Sequence, residues 1–112
     1  MRATKLALVG LVALLLAGCG TSKYKDAIVG KWQNTKIPDS RMEFKGDGTV
    51  AFENNMGHFT ATYSLDANDN LNMTTNQPIN GNTKFRSKIS ISDDVLTMTD
   101  PNGHVSTFKR MK

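Results

Sequence analysis

From Ile28 onward the apolar residues recur at every second position, in short runs cut by turn signals. Ile28, Gly30 and Trp32 share one face of the first run, and Met42 and Phe44 share a face in the next. The turn Gly46-Asp47-Gly48 leads to Val50 and Phe52. The plainest alternation is "GHFTATYSL", with Phe59, Ala61, Tyr63 and Leu65 inward and Thr60, Thr62 and Ser64 outward. Asp66 to Asn70 turns the chain into a short run carrying Leu71 and Met73. Thr74 to Asn82 is polar, with Pro78 and Gly81, and reads as a loop. Phe85, Ile89 and Ile91 then face in, opposite Lys84, Arg86 and Lys88. Asp93-Asp94 turns into Leu96 and Met98, and Asp100-Pro101-Asn102-Gly103 is a type I turn signal. The final run puts Phe108 and Arg110 on one face.

About eight short strands, near five or six residues each, follow from this rhythm. No helical period competes with it beyond, at most, one turn around Tyr24 to Ile28. Sequential strands joined by tight turns make an antiparallel meander, and a meander protects its edges by closing into a barrel. The expected fold is therefore all-β, a small up-and-down barrel. Trp32, Phe44, Phe52, Phe59, Tyr63, Phe85, Ile89, Leu96, Met98 and Phe108 would fill it.

The first residues follow another pattern. Met1 to Lys5 is short and basic, and Leu6 to Ala17 holds only Leu, Val, Ala and Gly. A membrane span needs about 20 apolar residues, and this run is shorter. Small residues and the lone Cys19 follow, which is the layout of a secretory signal. Leu16-Ala17-Gly18-Cys19 resembles the lipobox of bacterial lipoproteins. That resemblance implies a diacylglycerol on the Cys19 thiol and cleavage just before it. Residues 1–18 would be the signal peptide, 19–26 the lipidated cysteine and a solvated tether, and 27–112 the barrel domain. Several acyl chains, at about 0.8 kcal/mol per buried CH₂, hold a protein on a bilayer where one chain does not.

Charge changes the picture only after this cut. Loss of Arg2 and Lys5 leaves 12 basic residues against 10 acidic ones, a net charge of about +2. Nucleic acid is excluded as a partner, for want of a dense basic stripe with interleaved aromatics. The folded part would hold no free thiol and no disulfide, and no cofactor is expected.

Gly30-Lys31-Trp32, the hairpin "MEFKGDGTV" (Met42 to Val50) and the ending Phe108-Lys109-Arg110 together resemble the lipocalin-like domains of small bacterial lipoproteins. The resemblance spans Ile28 to Arg110. It implies that Gly30 and Trp32 lie at the closed end of a barrel. It also implies that Arg110 covers the tryptophan by a cation–π contact, about 0.5–2 kcal/mol. These are structural positions. Strands this short, with several Phe and Met inside, favour a packed interior over the family's ligand pocket.

Candidate chemistry is sparse. His58 and His104 each follow or adjoin a glycine near a strand start, with no nucleophile, carboxylate partner or ligand set fixed by spacing. Asp66, Asn68, Asp69 and Asn70 loosely resemble the start of a calcium loop but lack its glycine and later glutamate. A turn explains them, as it explains Asp93, Asp94 and Asp100. Lys84, Arg86 and Lys88 form a basic row that would meet headgroups, lipopolysaccharide or an acidic protein, or simply stand as a solvated, edge-protecting face. The latter is the commoner case.

The expectation is a non-enzymatic envelope lipoprotein, held in the bilayer through acylated Cys19. Its barrel would bind an envelope protein partner or a small apolar ligand. A purely structural or stress-related protein with a filled barrel is the alternative. An inhibitor of a lysozyme-like enzyme ranks lower, since such barrels usually carry cysteine pairs and an acidic face. Gly20 after Cys19 is not the aspartate of inner-membrane retention. The expected place is therefore the periplasmic face of the outer membrane.

Overall fold

The computed structural model describes residues 22–112. The signal segment, the lipobox and Cys19 lie outside the described residues. Eight strands follow one another: β1 (Gly30–Asn34), β2 (Arg41–Phe44), β3 (Thr49–Asn54), β4 (Gly57–Leu65), β5 (Asn70–Ile79), β6 (Asn82–Ser92), β7 (Val95–Thr99) and β8 (Val105–Arg110). Each pairs antiparallel with the next, and β8 pairs back with β1, so the sheet is a closed barrel. Closure leaves no outer strand of the sheet unpaired along its whole length.

The turns have the chemistry their geometry demands. Asn80-Gly81 and Asp93-Asp94 are two-residue hairpin loops with positive φ at both positions (53° and 83°; 51° and 63°). This backbone matches strand twist, and Asn, Asp and Gly tolerate it best. Asp47, Asp66 and Asp100 each accept a backbone N–H two residues on, at 3.0, 2.9 and 2.9 Å, which closes three further turns.

The core is a run of inward residues at period two. Ile28, Trp32, Leu71 and Leu96 are wholly buried, with Phe44 and Val50 at 1 % exposure. Met42, Ala61, Ile89 and Phe108 complete the buried cluster. Phe52, Tyr63 and Met98 pack against its margin. Phe59 and Phe85, expected to fill the barrel, are only half-buried and stand outside that cluster.

Three features differ from the sequence reading. Thr74 to Asn82 is not a loop: β5 runs to Ile79 and β6 starts at Asn82, with a two-residue turn between. The pairing shifts register between Thr74 and Ile79, and that bulge accommodates Pro78, which has no N–H to give a ladder. Buried Thr75 donates its hydroxyl to the Gln77 carbonyl at 2.7 Å there. As a result β4, β5 and β6 are 9, 10 and 11 residues long rather than five or six. Ile28 is not part of β1 but ends the single helical turn that the sequence allowed around Tyr24 to Ile28, with its N–H on the Tyr24 carbonyl at 3.0 Å. Finally, the expected tether is solvated only in part: Lys23, Lys25 and Asp26 are exposed, but Ser22 and Tyr24 dock on the barrel. Ser22 is 3 % exposed, donates its hydroxyl to Asp69 at 2.7 Å and accepts the Tyr24 N–H, while Tyr24 packs on the core.

Candidate functional site

The two ends of the barrel are built differently. At the first, the turns Lys45–Gly48, Asp66–Asp69 and Asp93–Asp94 meet the incoming segment Ser22–Val29. Here Trp32 faces inward and donates Nε1–H to the Ile28 carbonyl at 2.8 Å. Its ladder partner Arg110 lays its guanidinium 4.3 Å from the indole ring centroid. The same guanidinium donates to the Ala27 carbonyl at 2.6 Å, the Val29 carbonyl at 3.1 Å and the Asp94 carboxylate at 3.1 Å. One side chain thus ties the incoming turn, the first strand and the β6–β7 turn together.

Gly30 is required by that arrangement. Its φ is +136°, and a Cβ there would lie 2.7 Å from Arg110 Nη1. Gly30, Trp32 and Arg110 therefore form one unit, with glycine leaving the space through which arginine reaches the carbonyls. Beside it, Tyr63 packs edge-on to Phe44 at 5.0 Å and donates its hydroxyl to the Lys45 carbonyl at 2.7 Å. Burial pushes the Tyr63 phenol above its usual pKa, with the Asp47 charge adding to this.

At the second end the connections are Thr35–Ser40, Asn55–Met56, Asn80–Gly81 and Asp100–His104. Ile37, Met56 and Val105 stand at this rim with 60 %, 73 % and 58 % of their surface exposed. Just inside, Phe52 and Phe59 stack at 5.6 Å, and Phe59, Phe85 and Met98 are half-buried. This end keeps more apolar surface exposed than the first. Only the aromatic interior was anticipated from the sequence. The rim escaped notice because Ile37, Met56 and Val105 are single aliphatics inside or beside polar turns, where no periodicity flags them.

The histidines stand apart. His58 is largely exposed, its Nδ1 3.2 Å from Glu53, and His104 likewise sits 3.3 Å from Asp100. Among the described residues neither meets the other or a nucleophile placed for proton transfer. Among the described residues no group of three or more His, Cys, Asp or Glu is placed to hold a metal ion. Asp66 has its carboxyl held below the usual range by the Asn70 N–H it accepts, and Asp100 is held down in the same way by His104 N–H. Asp47 is lowered mainly by the Thr49 hydroxyl. All three are turn caps in the observed geometry.

The outer walls also contrast. On β1 to β4, outward cations meet acids in register: Lys31 faces Glu43, and Arg41 faces Glu53, 3.4 Å away. Glu53 also faces His58 across β3 and β4. A surface groove of about 320 Å³ runs here, with Ala51 and Met111 among these charges. On β5 to β7 the outward row Lys84, Arg86 and Lys88 has only Thr74, Asn72, Asn70 and Thr99 as ladder partners. No protein-family model matches this chain, and no curated protein matches it.

Proposed function

We propose that this protein is a non-catalytic, lipid-anchored envelope lipoprotein. Its lipocalin-like barrel would bind a small apolar ligand or an envelope protein partner at the end facing away from the anchor. The observation that carries this is the placement of exposed apolar surface. Of the four large hydrophobics most exposed among the described residues, Ile37, Met56 and Val105 all lie at one end, Val105 on its outer face opposite Thr99. The half-buried Phe52, Phe59 and Phe85 lie behind them. The chain leads back to Cys19 from the other end, where Ile28, Trp32 and Arg110 close the barrel. An acylated Cys19 would hold that closed end toward the bilayer and leave the apolar rim facing the aqueous space. Exposed apolar side chains at one end, with half-buried aromatics behind them, would suit a partner contact or a ligand mouth.

Anchoring and binding are tested separately. Cells labelled with a palmitate analogue should label the wild type and not Cys19→Ala, which should leave the membrane fraction. For binding, the chain lacking residues 1–19 is titrated with a fluorescent apolar probe. Saturable enhancement, lost in Met56→Ser/Ile37→Ser, supports the mouth. A flat titration, together with no partner captured by the lipidated protein from solubilised envelopes, favours the filled structural barrel. Turnover of an envelope substrate by the purified chain would overturn the non-catalytic reading.

A further inference from the structure

We propose that the notch between β6 and the β7–β8 turn is a binding site for a phosphate group, with Arg86 and Lys88 as its two cationic ligands. The site is on the side wall of the barrel and stands independently of any binding at the mouth.

Its shape comes from unequal strands. Lys88 pairs with Thr99, the last residue of β7, whereas Lys84 and Arg86 pair only with β5. Past Thr99 the chain turns away at Asp100, and the space left beside β6 is a hollow of about 260 Å³. Its walls include Asn70, Arg86, Lys88, Thr99, Asp100 and Pro101. Alternate residues of a strand are about 7 Å apart on one face. A guanidinium and an ammonium at that spacing converge on one group of phosphate size.

The charge balance favours an external anion. Among the described residues Arg86 is the one arginine without a carboxylate in ion-pair reach, whereas Arg41 has Glu53 at 3.4 Å and Arg110 has Asp94 at 3.1 Å. Outward ladder positions around it are occupied by Asn70, Asn72, Thr74, Thr97 and Thr99, all uncharged. On β1 to β4 the outward cations Lys31 and Arg41 face acids in register, and the row has no such partners.

Two carboxylates stand near the notch. Asp66 accepts the Asn68 and Asn70 backbone N–H groups, at 2.9 and 3.1 Å. Asp100 accepts those of Asn102 and His104, both at 2.9 Å. Each uses Oδ1 to close its turn, and neither forms an ion pair with the row, although the Arg86 charge is the last of the influences that hold the Asp66 carboxyl down. Guarding a free sheet edge would explain Lys84 and Arg86. It does not explain Lys88, which is paired on both sides by Asn70 and Thr99.

The test is a chemical-shift titration of the full chain in nonionic detergent, first with inorganic pyrophosphate, then with micelles doped with phosphatidylglycerol. Saturable, salt-sensitive shifts at Lys84–Lys88 and Thr99 are expected. Arg86→Gln should weaken binding about tenfold, and R86Q/K88Q further. Lys109→Gln, which removes the same charge from another strand, should change nothing. Glutamine at these exposed positions leaves the core untouched, so an unchanged melting curve certifies the fold. Response to doped micelles but not to pyrophosphate would sustain the site and identify its phosphate as a lipid headgroup. Silence toward both, or an equal loss in Lys109→Gln, would overturn the site and leave the row as edge protection.

Discussion

The closed end and the rim of this barrel use the same residue types to opposite effect. At the closed end Trp32, Ile28 and Phe44 are 0–1 % exposed, and each guanidinium nitrogen of Arg110 has an acceptor. At the rim Phe59 and Phe85 keep part of their surface in water, and Met56 keeps 73 % of its own. Burial at about 25 cal/mol per Å² stabilises a fold only where the area is removed from water. The closed end therefore holds the barrel together, and the rim leaves apolar surface free for something else.

That contrast can be broken at its strongest point first. Trp32→Ala should destabilise by about 3–5 kcal/mol, as for other large buried aromatics. Urea unfolding of this variant beside Phe59→Ala, expected to lose only about 1–2 kcal/mol for a half-buried ring, tests the difference between the ends directly. Equal losses would refute it. Next in size, Arg110→Gln should cost about 1.5–3 kcal/mol, because the half-buried Ala27 carbonyl and the more exposed Val29 carbonyl lose their charged donor. Gly30→Ala should lie close behind at about 1–3 kcal/mol, from strained φ and the clash with the guanidinium. If the glycine matters only by making room, Gly30→Ala combined with Arg110→Gln should lose less than the sum of the two.

Acid sharpens the comparison by touching both ends alike. Asp47 and Asp66 cap turns at the closed end and Asp100 caps one at the rim, and all three have pKa values lowered from 3.8. Carboxyls depressed on folding add stability above their unfolded pKa and lose it as pH falls through the lower folded value. Stability should therefore decline below about pH 4. The amides of Asn70, His104 and Thr49 should report the loss, while Trp32 fluorescence stays native until global unfolding. The smallest effect belongs to the rim: Met56→Ser and Ile37→Ser should change stability by less than about 0.5 kcal/mol. A larger loss would show that these side chains pack rather than wait exposed.

What was legible in the sequence was local. The alternation from Phe59 to Leu65 assigned its two faces without knowledge of any neighbour, because side chains on a strand must alternate. Asp93-Asp94 and Asp100-Pro101-Asn102-Gly103 announced turns because the hydrogen bonds and φ values that make them lie within four residues. The Lys84–Arg86–Lys88 face could be read in the same way. Thr74 to Asn82 could not, since a polar segment becomes a strand only when a partner offers its hydrogen bonds. Here β5 and β6 are partners to each other.

The sequence alone determined the strand rhythm and turns outside Thr74–Asn82, most of the inward set around Trp32 and the basic row itself. Tertiary structure alone decided which strand meets which, and with it that Arg110 lies over Trp32 while Arg86 has no acid opposite. It also decided that Ser22 and Tyr24 dock on the barrel and that Ile37, Met56 and Val105 gather at one end. The physical reason is the range of the forces involved. Alternation and turn capping act between residues a few positions apart, whereas register and closure depend on contacts between residues as distant as Ala27 and Arg110.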